Sequence, residues 1–422
     1  MLDSINKKSL GERLATNLRE YVVTYVFLVL SLVFVAASGQ PLTVILFQLM
    51  NRLSRNLFII LALIIPIIAG MGINFAITIG AMAAQVGLLL AINWGVKGMA
   101  GLILAGAITL PLAAGFGFLI GALLNKMKGQ ETIGSLILGY FANGAYQLLF
   151  LFIFGKLIPL NPSVTIVGAT GVANTLIMSG QAGMQSALDS LWRVDFSAAL
   201  YGVSAIVLLA AVGLYLTKQI SQKQALRFGA LALGLSLLYT IPIVKAQFVQ
   251  VTVPVITFLV VAALCLFNVL IMRTKLGQKF RAVGQNRVVA NAAGIHVNKV
   301  RIKAIVISTV LAGWGQIIFI QNLGTLQTYA AHEMVGLYAG AAILVGGASI
   351  NRATNTQAII GCILFHTLFV VSQDAGTVLF GDPAIGEFFR VFLCYGVIAV
   401  ALVMHAWKSA KKPAQPQLEG AK

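Results

Sequence analysis

The sequence predicts an all-α integral membrane protein: a polytopic bundle of about 10–12 transmembrane helices, some of them interrupted. Hydrophobic residues make up 59% of the 422 residues, charged residues only 9%, and the mean hydropathy is +0.94. A soluble domain carries roughly a quarter charged residues, so this chain cannot cover a water-facing surface. Apolar runs close to the roughly 20 residues that cross a hydrocarbon core recur along its whole length.

Each run is predicted to be helical, because unpaired backbone groups are costly in lipid. The full-length runs are Tyr21–Ala37, Phe75–Asn93, Met99–Leu124, Thr132–Phe154, Phe196–Leu216, Phe228–Val244, Val251–Met272, Ala304–Ile320 and Ile385–Trp407. Shorter runs, interpreted as spans or half-spans, are Leu57–Gly70, Met334–Gly347 and Thr356–Val371. Pairs such as Gly117-x-x-x-Gly121 favour close helix packing in lipid.

The formal charge of +18 reflects membrane topology and not nucleic-acid binding. Lysine and arginine lie between apolar runs, as the insertion bias requires, and form no aromatic-interleaved groove. With the N-terminus inside and twelve crossings, cytoplasmic segments hold 22 of the 29 basic residues. We therefore expect a cytoplasmic segment at 1–20, a transmembrane domain at 21–407 that keeps its first helix, and a cytoplasmic tail at 408–422.

Two connections are long. The extracytoplasmic segment 155–195 is rich in proline and glycine and is predicted to be a loop with a short surface helix around Met184–Trp192. The cytoplasmic segment 273–303 is strongly basic.

No catalytic or metal-binding pattern occurs. The chain has only 11 acidic residues, and its cysteines, Cys265, Cys362 and Cys394, stand singly in apolar runs. HExxH, GxSxG and the phosphate-binding GxxxxGK[ST] loop are absent from the sequence. The chain is therefore predicted to be no enzyme and to bind no cofactor or metal, so that a partner must supply any ATP chemistry.

The segment 273–303 carries the most informative pattern. Gly284 and Gly294 bracket a short helix-forming stretch, Arg287–Ala293, in which Ala290 and Ala293 are small enough for tight docking. Glycines permit a sharp entry and exit. A merely basic loop would explain the lysines and arginines but not this glycine-bounded, alanine-rich segment.

These residues resemble a known family. Gly284-Gln285-Asn286, followed by Ala290 and the run Ala292–Val297, is similar to the inner-loop signature of bacterial ABC importer permeases for branched-chain amino acids and simple sugars (ribose, nucleosides). The stretches Gly70–Met82 and Gly346–Ser349 also resemble that family, and the likeness extends from about 57 to 371. Gln285 and Asn291 depart from it, since acids are common there, which favours a divergent subgroup.

The resemblance implies a transport complex in a bacterial cytoplasmic (inner) membrane. A second permease chain, identical or homologous, two ABC ATPase subunits that bind ATP and Mg, and an extracytoplasmic binding protein would be its partners. The ATPase-coupling residues would be Gly284, Asn286, Ala290, Ala293, Gly294 and Ile295. The expected cargo is a small neutral solute, a simple sugar or nucleoside; a branched-chain amino acid or vitamin permease, or a secondary transporter, stays open as an alternative.

Polar groups at membrane depth are the candidate pathway residues, because they are expensive there. They are Asn74, Gln85, Tyr140, Asn143, Gln147 and Glu333. Amides and aromatic edges suit hydroxyl-rich or nucleobase ligands, although an intramembrane amide also commonly ties two helices together. The lone His366 is interpreted as a packing residue.

Overall fold

The computed structural model describes residues 21–410 except 128, 155–156, 160–166, 169–170, 173–174, 180–182 and 219–220. The polytopic helical fold is confirmed: within the described residues, eight helices are long and apolar enough to span a membrane, and three shorter apolar helices accompany them. The helices are α1 Val22–Ala37, α2 Leu42–Ala62, α3 Ile64–Ile68, α4 Ile77–Asn93, α5 Gly98–Lys126, α6 Glu131–Phe152, α7 Phe196–Leu216, α8 Gln222–Thr240, α9 Pro242–Gln247, α10 Val255–Arg273, α11 Lys275–Gln285, α12 Arg287–Ala292, α13 Val297–Leu323, α14 Val335–Val345, α15 Asn355–Phe380 and α16 Pro383–Ala410.

Short strands pair only in the connections. The strands are β1 Val167–Gly168, β2 Gly171–Val172, β3 Thr175–Ile177, β4 Arg193–Asp195, β5 Thr252–Pro254 and β6 Thr325–Gln327. They form the antiparallel pairs β1–β2, β3–β6 and β4–β5. The sequence analysis does not predict these strands, because two or three residues are too few to show an alternating pattern.

Helix α13 lies at the centre of the bundle, packed against α2, α4 and α5. Gly117 and Gly121 of α5 lie so close to α13 that an added Cβ would come within 3.0 Å of a backbone Cα atom of that helix. The glycine spacing therefore serves helix packing, as its pattern predicts. We call the end of the bundle that carries α11 and α12 the α12 end, and the other the opposite end.

The predicted starting residue of the short span Leu57–Gly70 is wrong. One candidate span runs from Leu42 to Ile68, through α2 and α3. Arg52 and Arg55, which precede the predicted start at Leu57, therefore lie within a spanning helix. Polar residues in this stretch end the apolar run without ending the helix, because they face neighbouring helices and not lipid.

The predicted span Phe228–Val244 is helical but displaced toward the N-terminus. Helix α8 begins at Gln222, and its cap, Ser221, accepts a hydrogen bond from the Gln224 amide. Its first turns carry charged and amide side chains. Among the described residues, α8 is therefore not one of the helices that are apolar enough to span a membrane. Helices α7 and α8 pack on each other, with a 3.0 Å bond between the Ser236 and Ser204 hydroxyls, and form a hairpin whose side chains are mostly exposed.

The surface helix predicted around Met184–Trp192 is also wrong. Residues 185–190 form turns and not a regular helix, and Met184 and Asp189 are fully buried. Asp189 accepts hydrogen bonds from the Thr257 hydroxyl and from Nδ2 of Asn322. A buried carboxylate held by α10 and α13 anchors this connection to the opposite end of the bundle.

Two non-helical breaks enter the bundle, as the prediction of interrupted helices requires. The first break, residues 69–76, joins α3 to α4 and turns at Gly70 and Gly72, which have positive φ angles of 71° and 68°. The second break, residues 324–334, joins α13 to α14 and reaches deep into the bundle, where its Ala331 carbonyl accepts from Gln316 of α13. The first break packs against the start of α14, where an added Cβ at Gly336 would lie 2.5 Å from the Phe75 carbonyl oxygen.

Candidate functional site

A network of polar side chains lies in the middle of the bundle, where α4 and α6 face the second break. We call it the polar network; its members are Gln85, Asn143, Tyr146, Gln147, His332 and Glu333. The structure thus brings together four of the predicted pathway residues, which lie up to 248 positions apart in the chain.

His332 is the centre of the network. Its Nε2 lies 2.8 Å from Oδ1 of Asn143, and its Nδ1 lies 3.2 Å from Oε1 of Gln85. The Tyr146 hydroxyl donates to the same Gln85 oxygen at 2.5 Å, and its ring meets the His332 ring edge-on with centroids 4.6 Å apart. One histidine on a non-helical segment therefore bridges two helices.

Asn143 extends the network toward Glu333. Its Nδ2 donates to Oε1 of Glu333 at 3.1 Å, and its Oδ1 accepts from Nε2 of Gln147 at 3.4 Å. Asn143 and Gln147 lie four residues apart, which places both on one face of α6, as the sequence predicts.

A cavity of about 160 Å³, which we call the network cavity, opens beside these residues. Its lining residues are Phe75, Thr78, Met82, Leu136, Gly139, Tyr140, Asn143, His332, Glu333, Met334 and Leu337. Ligand pockets usually exceed roughly 300 Å³, so this cavity is small for a ligand pocket. Amide, carboxylate and aromatic groups on apolar walls can orient a small hydroxylated solute.

Asn74 lies apart from the network. The sequence analysis names it as a candidate pathway residue; in the structure its Oδ1 accepts a hydrogen bond from the Ala76 amide at 3.2 Å, just before α4 begins. Its neighbour Phe75 lines the network cavity instead, with its backbone amide held by the Ser135 hydroxyl at 3.0 Å. The sequence analysis does not single out Tyr146, although it adjoins Gln147 on the same helix.

The predicted short helix in the basic segment is confirmed as α12. The Asn286 side chain caps its start by accepting from the backbone amides of Val288 and Val289 at 3.0 and 3.1 Å. At its end, the Ile295 amide donates to the Ala290 carbonyl at 3.0 Å, and Gly294 has a left-handed φ of 79°. An Asn cap and a glycine C-terminus satisfy the otherwise unpaired ends of so short a helix.

The residues that α12 exposes are not the ones predicted to dock, among them Ala290. Ala290 is buried at 3% exposure, whereas Val288 and Val289 are 79% and 63% exposed. Gly284 packs against the first break, where an added Cβ would lie 2.0 Å from the Ile68 carbonyl oxygen. Ala293 and Gly294 remain on the exposed side and Ile295 is half-buried. Val288 and Val289 are therefore the large apolar side chains that α12 exposes.

An arginine–glutamate cluster ties α12 to the rest of the bundle; we call Glu131, Arg287 and Arg301 the ion triad. Arg287 of α12 and Arg301 of α13 reach the same oxygen of Glu131 at 2.8 and 2.5 Å. Arg287 also donates to the Gly70 carbonyl at 2.8 Å. Glu131 opens α6, where the helix dipole also favours a negative charge.

Within the described residues, no three His, Cys, Asp or Glu side chains lie close enough together to hold a metal ion. The residues of the polar network offer hydrogen bonds, and none of them is arranged as a nucleophile with a base. The network and its cavity are thus suited to binding a solute in passing.

The chain is similar in sequence to known transport proteins. The family model described as branched-chain amino acid transport system / permease component matches residues 45–401. The autoinducer 2 import system permease protein of Klebsiella pneumoniae is 31% identical over 174 residues, 39% of this chain and 49% of that protein. The ribose import permease protein of Bacillus subtilis is 28% identical over 168 residues, again 39% of this chain and 49% of that protein.

A second autoinducer 2 import system permease protein, from an Enterobacter species, is 36% identical over 114 residues, 26% of this chain and 32% of that protein. The chain therefore spans about half the length, or less, of the curated relatives it matches. No solved structure matches the chain significantly.

Proposed function

We propose a function from the premise that this chain belongs to the permease components of branched-chain amino acid transport systems, whose family model covers residues 45–401. The chain forms the translocation pathway of an ATP-driven importer for a simple sugar. The similarity to autoinducer 2 and ribose import permeases supports a sugar-like cargo over a branched-chain amino acid. A nucleoside is the second candidate, because amides and aromatic edges also suit nucleobases.

The observation that carries the proposal is the connection between α12 and the network cavity. Arg287 holds the Gly70 carbonyl and Glu131, and Gly284 packs directly on the backbone at Ile68. Phe75, a few residues further along the same break, lines the cavity. A push on α12 would therefore reach the pathway as a rigid-body displacement of the first break.

The proposal requires partners. Two ATPase subunits would bind ATP and Mg and press on Val288 and Val289, the exposed apolar residues of α12. A second permease subunit would complete the pathway, and an extracytoplasmic protein would deliver the solute. The α12 end would face the cytoplasm of a bacterial cell, together with both termini, because the basic segment 273–303 lies at that end.

The test is ATP-driven uptake of radiolabelled ribose by the reconstituted complex carrying Val288→Asp. A charge on the docking surface is expected to reduce uptake and ribose-stimulated ATP hydrolysis at least tenfold while leaving the purified permease folded. Lys275→Asp is the matched control, since Lys275 is exposed at the same end but belongs to α11. Normal uptake by Val288→Asp, or equal loss in both variants, would contradict the docking surface.

ATP dependence separates an importer from a secondary transporter. Uptake that a proton or sodium gradient drives without nucleotide would reject the ATP-driven function. Uptake of adenosine with exclusion of ribose would move the cargo from sugars to nucleosides.

A further inference from the structure

Glu333 carries a carboxylate inside the bundle that the polar network leaves incompletely bonded. The residue lies on the second break, is half-buried, and lines the network cavity. One of its carboxylate oxygens, Oε1, accepts from Nδ2 of Asn143 at 3.1 Å. The other, Oε2, accepts no hydrogen bond from the part of the chain that the structure describes. An ionisable side chain within the membrane-spanning region usually marks a binding site or a pathway.

The Glu333 carboxylate also lacks a counter-charge. The ion pairs among the described residues involve two other carboxylates, those of Glu131 and Glu387. No lysine, arginine or histidine nitrogen of those residues lies within ion-pair distance of Glu333. A carboxylate that is partly withdrawn from water is costly unless donors or a cation surround it. The Asn143 amide supplies one donor, so a solute in the cavity meets a strong acceptor that is still free.

The Asn143 amide is fixed in the orientation that makes it a donor to Glu333. Its Oδ1 faces Nε2 of His332 at 2.8 Å and Nε2 of Gln147 at 3.4 Å. The reversed amide would place its oxygen against the Glu333 carboxylate, where neither group can donate a hydrogen bond. The His332 ring is fully buried, so it holds Asn143 in this direction as a positioning residue.

Two hydroxyl groups complete the polar lining of the network cavity. Thr78 donates its hydroxyl proton to the Phe75 carbonyl at 3.3 Å, so its oxygen remains an acceptor. Tyr140 lines the cavity with a phenol on a side chain that is 61% exposed. Phe75 and Leu337 belong to the apolar walls. Free acceptors on apolar walls suit a solute that carries several O–H groups and disfavour a solute that carries a negative charge.

We propose that Glu333 is the specificity-determining residue of the network cavity, where its free oxygen accepts hydrogen bonds from hydroxyl groups of the cargo. This inference rests on the proposed function and assigns the choice between neutral and acidic sugars to one carboxylate. A neutral sugar supplies the missing donors.

An acidic sugar is rejected at the same carboxylate. A sugar acid or a sugar phosphate brings a second negative charge close to Glu333. Like charges repel more strongly at a site with apolar walls than in water, because the effective dielectric constant there is lower. Specificity then comes from repulsion of the wrong solute as well as from bonds to the right one.

The test is equilibrium binding of radiolabelled ribose and of ribonate, the acid of the same carbon skeleton, to the full chain in lipid nanodiscs. In the unaltered protein we expect ribose to bind at least about tenfold more tightly than ribonate. Glu333→Gln keeps the size of the side chain but replaces one acceptor oxygen by an NH2 donor. Ribose binding should therefore weaken about tenfold, whereas ribonate binding should become tighter.

Opposite changes for the two probes distinguish a specificity role from a structural one. A variant that merely loosens the second break would bind both probes more weakly. Glu387→Gln is the matched control, because this carboxylate lies on α16, pairs with Arg390 and does not line the network cavity. We expect it to change neither affinity.

Ribonate binding as tight as that of ribose would overturn the inference, as would undetectable ribose binding or parallel weakening of both probes by Glu333→Gln. Glu333→Asp keeps the charge and should still exclude ribonate, which covers the case of a glutamine variant that fails to fold. The assay needs no ATPase, so the two proposals fail separately. Absent ATP-driven uptake rejects the importer function, whereas equal binding of both probes with normal uptake rejects only the role of Glu333.

Discussion

Arginine side chains that are partly or fully buried occur in two regions of this protein, and their charges are balanced differently. At the α12 end, Arg287 and Arg301 share one oxygen of Glu131, and Arg301 is 1% exposed. Toward the opposite end, Arg52 and Arg55 of α2 lie over the Phe369 and Phe319 rings, and no carboxylate of the described residues lies within ion-pair distance of either. The buried Nε atom of Arg55 has no hydrogen-bond partner among the described residues.

The difference separates arginines that are paired with a carboxylate from arginines that are not. The pairs with Glu131 join α6 to the partly exposed Arg287 of α12 and to the buried Arg301 of α13. For Arg52 and Arg55 the described residues supply ring contacts and no carboxylate, so the removal of either charge breaks no ion pair. Residue type and burial alone do not distinguish the two; the position of one carboxylate does.

The largest fall in melting temperature is expected when the Glu131 carboxylate of the ion triad is removed. Glu131→Gln leaves two arginines without their counter-charge, and breaking a buried pair from one side costs about 3–5 kcal/mol. We expect a large drop in the melting temperature of the detergent-purified protein. Arg55→Gln removes a charge that has no partner, so the melting temperature should stay the same or rise.

Glu387→Gln is the matched control for the glutamate. Its carboxylate also pairs with an arginine, but its side chain is 41% exposed. A partly exposed pair contributes about 0–1 kcal/mol, so a small change is expected. Comparable destabilisation by Glu131→Gln and Arg55→Gln would erase the distinction between the two regions.

The sequence predicts much of this architecture because lipid imposes a simple rule. Apolar runs locate the spans, and glycines with alanines locate α12, whose cap Asn286 follows the expected chemistry. Apolar runs fail to locate a span where polar residues of a helix face other helices and not lipid. The stretch containing Arg52 and Arg55 looks like a loop in a hydropathy reading, yet it is helical because neighbouring rings accept its charges.

The candidate site is only partly predictable for a related reason. Asn143 and Gln147 share a helix face, which spacing alone reveals. The approach of His332 to Gln85 and Asn143 depends on a non-helical break that descends into the bundle, and no local pattern encodes that path. Ala290 looks like a docking residue from its size alone, but the orientation of α12 buries it.

A smaller fall in melting temperature is expected from Gly284→Ala, because Gly284 is held near the ion triad by a close backbone contact and not by a charge. Gly284→Ala would place a methyl group 2.0 Å from the Ile68 carbonyl oxygen, so α11 or the first break must shift. Such overpacking costs typically about 1–3 kcal/mol. The melting temperature should fall, and ATP hydrolysis in the proposed importer complex should become less dependent on the proposed sugar cargo.

Gly144→Ala is the control for this glycine. An added Cβ at Gly144, within α6, meets no atom within 4 Å. Removing a helical glycine that has free space is stabilising by roughly 0.5–1 kcal/mol. Opposite shifts in melting temperature are therefore expected for two identical substitutions, and a shift of the same sign in both would count against the close contact between Gly284 of α11 and the Ile68 carbonyl.

The smallest change in melting temperature is expected in the polar network, because its centre holds neither an ion pair nor an unpaired cation. Tyr146→Phe removes the 2.5 Å bond to Oε1 of Gln85, but that oxygen keeps His332 at 3.2 Å. One lost neutral hydrogen bond costs about 0.5–1.5 kcal/mol, so the melting temperature should fall slightly. Tyr140→Phe, on an exposed side chain of the same helix, should leave it unchanged. A loss as large as that of Glu131→Gln would mean that the neutral network, and not the ion triad, holds these helices together.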